Sequence, residues 1–174
     1  VKPLAAKRPN RPAPSAPAKL ELVRPTLTAQ EEPFPKIARE LPPLFLHHYE
    51  HLSDKDFPLS PDWDRYYTLA LTGNLRITTA RFGPTLVGYI FNLVQRHLHY
   101  AEPHALLEMF WLEPSHRGGV FALRWFRAND DMLRGIGVRK VMASIKPGYR
   151  DGRVELIFQR LGYRNSEKIY SKVL

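Results

Sequence analysis

The apolar positions of this chain change their period several times, and each change marks an element. Leu75, Ile77 and Thr79 alternate with Arg76, Thr78 and Ala80. That alternation predicts a half-buried strand over Leu75–Arg81. Phe82-Gly83-Pro84-Thr85 makes a hairpin turn, and Leu86–Val94 is apolar nearly throughout, the pattern of a buried strand. Leu106–Leu112 is again apolar except for Glu108. From Val120 the period becomes helical: Val120, Leu123, Trp125 and Phe126, then Met132, Leu133 and Ile136, with Gly135 and Gly137 closing the helix. Val141–Ile145 starts another strand. Strand, turn, helix and strand over 106–145 form a βαβ unit, so its two strands are expected to be parallel neighbours.

Upstream the pattern is weaker. Lys19–Pro25 reads as a first strand, and Thr26–Pro35, with Glu31, Glu32, Pro33 and Pro35, as loop. Pro42-Pro43 opens a helix over Leu44–Leu52, since proline is tolerated in a first turn. Ser60-Pro61-Asp62 is a second helix start, with Ser60 as cap and acids in the first turn. That helix runs from Asp62 to Leu71, gathers Trp63, Tyr66, Tyr67 and Ala70 near one face, and ends at Gly73-Asn74. Residues 1–18 are different in kind. Five prolines and four unopposed basic residues form an extended arm that cannot bury enough apolar surface to order itself alone.

The chemistry of the βαβ unit lies at its turn, His116-Arg117-Gly118-Gly119. The helix that follows leaves its first amide N–H groups unpartnered, and together with the helix dipole these favour an anion such as phosphate. Arg117 adds a fixed charge, and the glycines let a ligand approach the backbone. An ordinary turn in an ordinary βαβ unit would show the same residues.

At this point the chain resembles a family. Glu113-Pro114-Ser115-His116-Arg117-Gly118-Gly119-Val120-Phe121-Ala122 is similar to the acyl-CoA loop of the GNAT acetyltransferases, an Arg/Gln-x-x-Gly-x-Gly/Ala pattern after a strand. Leu156–Tyr163, with Glu167, Tyr170, Lys172 and Leu174 beyond, resembles the family's closing helix–Gly–strand segment. Leu22-Val23-Arg24-Pro25 resembles its opening strand, and Gly88 matches its usual Val-Gly. The resemblance covers roughly residues 19–174. It implies an α/β (α+β) fold: a mixed, mostly antiparallel central sheet with one parallel strand pair and flanking helices. It implies acetyl-CoA as cofactor, held by Arg117, Gly118, Gly119, Val120, Phe121 and Ala122, in a cleft between two parallel strands that diverge after Leu112. Glu108 is then the candidate base, with an outward-facing surface residue as the competing reading. More narrowly, Leu59–Tyr66, His97–Tyr100 and the Arg-Gly-Gly turn look like the GNAT-like proteins of tailed bacteriophages.

The chain also departs from the family. Val120 stands where a glycine normally lets a pyrophosphate sit on the backbone, and is expected to crowd that ligand. Phe158 stands at the position of the family's general-acid tyrosine and has no proton to give.

Composition narrows the classes. Hydrophobic content of 44% is enough for a core, yet no run approaches the length of a membrane span. No secretory signal is recognisable, and zero cysteines exclude disulfides and thiol catalysis. The excess of 26 basic over 17 acidic residues, a net charge of +9, favours acidic partners, nucleic acid included. Lys146, Arg150 and Arg153 around Tyr149 could bind a phosphate or a nucleic-acid backbone, or simply be solvated. His47, His48 and His51 invite a metal reading, but lack the glutamate that a zinc-protease helix places directly after its first histidine, so no metal site is assigned. His97, His99, Tyr100 and His104 could serve acid–base work or an edge contact.

Two functions follow. The arm, the phage-type segments, Val120 and Phe158 suggest a structural component of a virion or similar assembly, in the head–tail or tail region. Residues 1–18 would then anchor it to other subunits, in a virion or the host cytoplasm, with a degenerate acetyl-CoA site. The alternative is an active N-acetyltransferase that moves an acetyl group from acetyl-CoA to an amine. A nucleic-acid accessory rests on charge alone.

Overall fold

The computed structural model describes residues 25–51, 56–145 and 152–174. The arm 1–18, nearly all of the expected first strand Lys19–Pro25, and the basic loop before Gly152 lie outside the described residues. Five strands form one sheet in sequence order: β1 (Leu27–Glu31), β2 (Leu75–Phe82), β3 (Thr85–Arg96), β4 (Pro103–Leu112) and β5 (Lys140–Ala143). The first three pairings are antiparallel and β4–β5 is parallel, the mixed sheet that the resemblance implied.

Helices cover both faces. On one side lie α1 (Phe34–Ile37), α2 (Leu41–Glu50) and α3 (Trp63–Leu71), packed through Phe34, Leu41 and Phe45 onto Ile77, Tyr89, Phe91 and Trp111. On the other lie α4 (Phe121–Gly135) and α5 (Arg153–Arg160), packed through Trp125, Phe126 and Phe158 onto Ala80, Ile90 and Leu107. The all-apolar run in β3 is explained by this sandwich: alternate residues feed two different cores. A buried amide network adds directional constraint on the α4 side. Asn129 of α4 accepts from Thr78 (2.9 Å) and Asn92 (2.8 Å) and donates back to Asn92 (3.2 Å). The side chains of this network thereby satisfy one another and tie α4 to β2 and β3.

Several expectations need correction. The stretch Thr26–Pro35 is not loop: it holds β1 and α1. Leu27–Glu31 has little hydrophobicity of its own and becomes a strand by pairing with β2, Leu27 opposite Phe82 and Glu31 opposite Thr78. α2 starts at Leu41, earlier than Leu44, with the prolines in its first turn. The cap of α3 is Asp62, not Ser60: its carboxylate accepts from the Arg65 amide at 3.0 Å. The closing strand is absent, because residues 163–174 carry no regular element. Tyr163 stacks on Phe158 (4.8 Å) and donates to Asp130 (2.7 Å), which holds the chain against the helices instead of along β5.

Candidate active site

The site begins with an irregularity in β4. Phe91 pairs with Met109, but Asn92 pairs with Leu107, so Glu108 has no partner on β3 and forms a bulge. The parallel pairing with β5 stops at the same level, at Leu107–Ala143. The strands therefore part at Glu108, not after Leu112. β5 has only four paired residues, and the bulge turns β4 away from it.

A cleft of about 470 Å³ opens at this fork on the α1–α3 face. It is lined by Glu108, Met109 and Phe110 of β4, Tyr89 of β3, Ser144 and Ile145 just past β5, and Tyr49 and Tyr66 of α2 and α3, among others. Glu108 is exposed, and among the described residues no hydrogen bond or ion pair engages its carboxylate. The Tyr66 hydroxyl is pushed up in pKa by burial and by the Glu108 charge, so it stays protonated. His48 is pulled down to about 4 by burial and by neighbouring His51, so it is neutral near pH 7. It shares a 2.8 Å hydrogen bond with Tyr89 and stacks on Trp111 at 5.0 Å.

The turn after β4 is set by contacts that the sequence did not reveal. The Arg117 guanidinium reaches back, hydrogen-bonds the Leu112 carbonyl through Nε and lies 4.3 Å from the centre of the Trp111 ring. Its Nη2 is buried without a partner. Gly118 (φ 121°) and Gly119 (φ 59°) adopt left-handed geometry that side chains disfavour, and the space around both is open. Helix α4 follows at Phe121 with Val120 as its N-cap residue, no side-chain cap and no acidic residue in its first turn. The first amide to bond back is Arg124, to Val120 O at 3.1 Å. The amides of Phe121, Ala122 and Leu123 are thus the free ones of the helix N-terminus. Val120 is 62% exposed and projects into solvent, while Phe121 is buried and stacks on Trp125 at 6.0 Å. Neither covers the helix end. These features fit an anionic group: an uncapped helix of 15 residues, open glycines and no opposing acid.

The remaining candidates fall elsewhere. Phe158 is core, edge-on to Phe126 at 5.2 Å. His47 turns to Glu113 (3.0 Å), and His51 bonds the His47 carbonyl (2.7 Å). Among the described residues no group of three His, Asp or Glu side chains could hold a metal. His97 contacts both Tyr100 and His104 at the opposite end of β4, away from the cleft. A second cleft, of about 410 Å³, lies beside β1, α1 and α3 and contains none of these groups. Tyr89 and Trp111 were not singled out from the sequence, where both sit unmarked within buried strands.

No family model matches the chain, and no curated protein matches it. Solved structures do. A ribosomal-protein-alanine N-acetyltransferase from Brucella melitensis biovar Abortus 2308 superposes with a TM-score of 0.68 at 15% identity, over 86% of this chain and 98% of that one. An aminoglycoside acetyltransferase from an uncultured soil metagenomic sample, in complex with sisomicin, gives 0.64 at 16%, over 85% and 96%. A predicted acetyltransferase with acetyl-CoA from Clostridium acetobutylicum gives 0.62 at 11%, over 85% and 96%. The chain has the GNAT acetyltransferase fold. None of the three is a phage protein, and identities this low speak for the GNAT fold alone.

Proposed function

We propose that the protein is an N-acetyltransferase that uses acetyl-CoA and an amine acceptor. The observation that carries this reading is Glu108: an unpaired carboxylate on a bulge, at the level where β4 and β5 part, facing a cleft. At the end of the same strand stands the uncapped α4. The backbone amides of 121–123 and the Gly118-Gly119 turn would hold the diphosphate, and Arg117, anchored on Trp111, would add its charge. Acetyl-CoA, when bound, supplies an activated acetyl thioester. Glu108 takes the proton of the attacking amine, directly or through water. Phe158 supplies no acid, but a thiol with an ordinary pKa of about 8.5 leaves as thiolate readily enough near neutral pH.

The virion-component expectation draws support from neither the comparisons nor the described residues, and the enzyme reading takes its place. Calorimetric titration with acetyl-CoA tests it. The expected result is a Kd tighter than roughly 100 μM, about −5.5 kcal/mol, with binding lost in Arg117→Ala. No detectable heat up to about millimolar ligand, about −4 kcal/mol, would overturn it.

A further inference from the structure

The cleft lining points to one class of acceptor. Its helix side is largely aromatic and apolar, with Phe45, Tyr49, Phe57, Pro58, Leu59 and Tyr66 among the lining residues, while Phe110 turns its ring to Phe126 and Phe158 on the other face. Glu108 is the one carboxylate among the described lining residues, and no lysine or arginine joins it. His48, the remaining titratable nitrogen there, sits between Tyr89 and the Trp111 ring.

We propose that the acceptor is a small primary monoamine with an apolar, aromatic body. This rests on the acetyltransferase reading above and deepens it. One ammonium group finds one carboxylate, and the faces of the tyrosine rings add cation–π attraction. The body of the amine buries against rings that favour edge-on or offset aromatic partners. A polycation such as an aminoglycoside would bring further ammonium groups to a lining that holds no second carboxylate among the described residues, and each would lose hydration uncompensated there. A peptide would bring a row of amides to a lining in which eight of the fifteen described residues offer no hydrogen-bonding side chain, so part of the row would go unserved. In the transfer, Glu108 first takes one proton from the ammonium group and passes it to solvent, which frees the amine lone pair to attack the thioester carbonyl. The C–N bond forms, the C–S bond breaks, the electron pair leaves on sulfur, and the second proton passes from nitrogen to Glu108 and then to solvent.

The test compares three acceptors with the full chain and acetyl-CoA, following thiol release: 2-phenylethylamine, sisomicin and an alanyl tripeptide. The expected kcat/KM for 2-phenylethylamine is at least about 100-fold above both others, the scale of discrimination that unpaired polar groups impose. Equal or better use of sisomicin or the peptide would overturn the proposal. Leu59→Asp places a second carboxylate on a partly exposed wall position. It is expected to raise the use of 1,4-diaminobutane relative to 2-phenylethylamine about tenfold, about 1.4 kcal/mol, and an unchanged ratio would count against the proposal. Ligand-observed NMR of each amine without acetyl-CoA separates the two readings. If acetyl-CoA binds and 2-phenylethylamine does not saturate the protein, the acceptor class is wrong and the acetyltransferase reading stands. If acetyl-CoA fails to bind, that reading falls, and selective saturation by 2-phenylethylamine still supports the cleft's choice of amine, while its absence overturns it.

Discussion

Two glutamates on the same sheet have opposite surroundings. Glu32, just past β1, is 2% exposed. It accepts from Arg81 Nε (2.6 Å) and Thr79 (2.7 Å) and pairs with Lys36 (2.7 Å), while Arg81 also bridges to Glu40 (2.8 Å). Burial by itself would raise its pKa, but the hydrogen bonds from Arg81, Lys36, Thr79 and Gln30 win and hold it at about 2. Glu108 is exposed, lies in a cleft and has no such partner among the described residues. A carboxylate with all its lone pairs committed is part of the architecture. One held by the backbone with its oxygens uncommitted is available for a substrate. Under the proposed acetyltransferase reading, burial and conspicuous ion pairing therefore point away from the chemistry.

The contrast can be broken most sharply at Arg81. Arg81→Ala leaves Glu32 buried with only Lys36 as a charged partner, and is expected to cost about 3–5 kcal/mol in urea unfolding, the usual penalty for orphaning a buried charge. Acetyl transfer per folded molecule should not change. The pH dependence has a definite sign. Glu32 is depressed from 4.5 to about 2, so its stabilisation is present above about 4.5 and is lost as pH falls toward 2. Thermal melts of Glu32→Gln should show a flatter acid limb than the parent.

Glu108→Gln should do the reverse: kcat falls about 100-fold or more, the lower bound for loss of a general base, with the melting temperature unchanged. A steady-state profile against pH checks it. If the loss appears in stability instead, Glu108 belongs with Glu32.

Gly88 tests the support beneath the end of β4 that leads into the Arg117 turn. A Cβ there would sit 2.6 Å from the Trp111 carbonyl and 2.9 Å from a Leu112 methyl. Gly88→Ala is expected to cost about 1–3 kcal/mol by overpacking and to weaken acetyl-CoA binding by displacing the strand end that carries Arg117. Denaturation and calorimetry on one sample would separate the two effects.

The smallest effect lies at His47. Its pKa is raised by the hydrogen bond and charge of Glu113. The stabilisation from this pair is therefore full below the ordinary histidine pKa and fades as pH rises through the raised one. Both groups are near solvent, so salt should erase most of it. A melting series at two ionic strengths measures it.

Local pattern carried much of this architecture. Alternation in Leu75–Arg81, the apolar run of β3 and the helical stripe after Val120 each specified an element, because burial on one or two faces imposes a period on the residues themselves. The Arg117-Gly118-Gly119 turn and its helix were equally legible, since glycine and an N-terminal helix start are local features. What needed the folded chain was everything set by pairing between distant segments. β1 exists because β2 offers it an edge. The bulge at Glu108 exists because β3 and β4 slip by one residue, and no property of Glu108 announces that. Trp111 supports Arg117 only after β4 and the turn have folded back on each other. Periodicity is encoded residue by residue, whereas register, strand divergence and the partners of a charge arise from contacts between separate segments, as from Phe91 to Met109 or from Glu32 to Arg81. For that reason the local elements could be read in order along the chain, and the cleft they enclose could not.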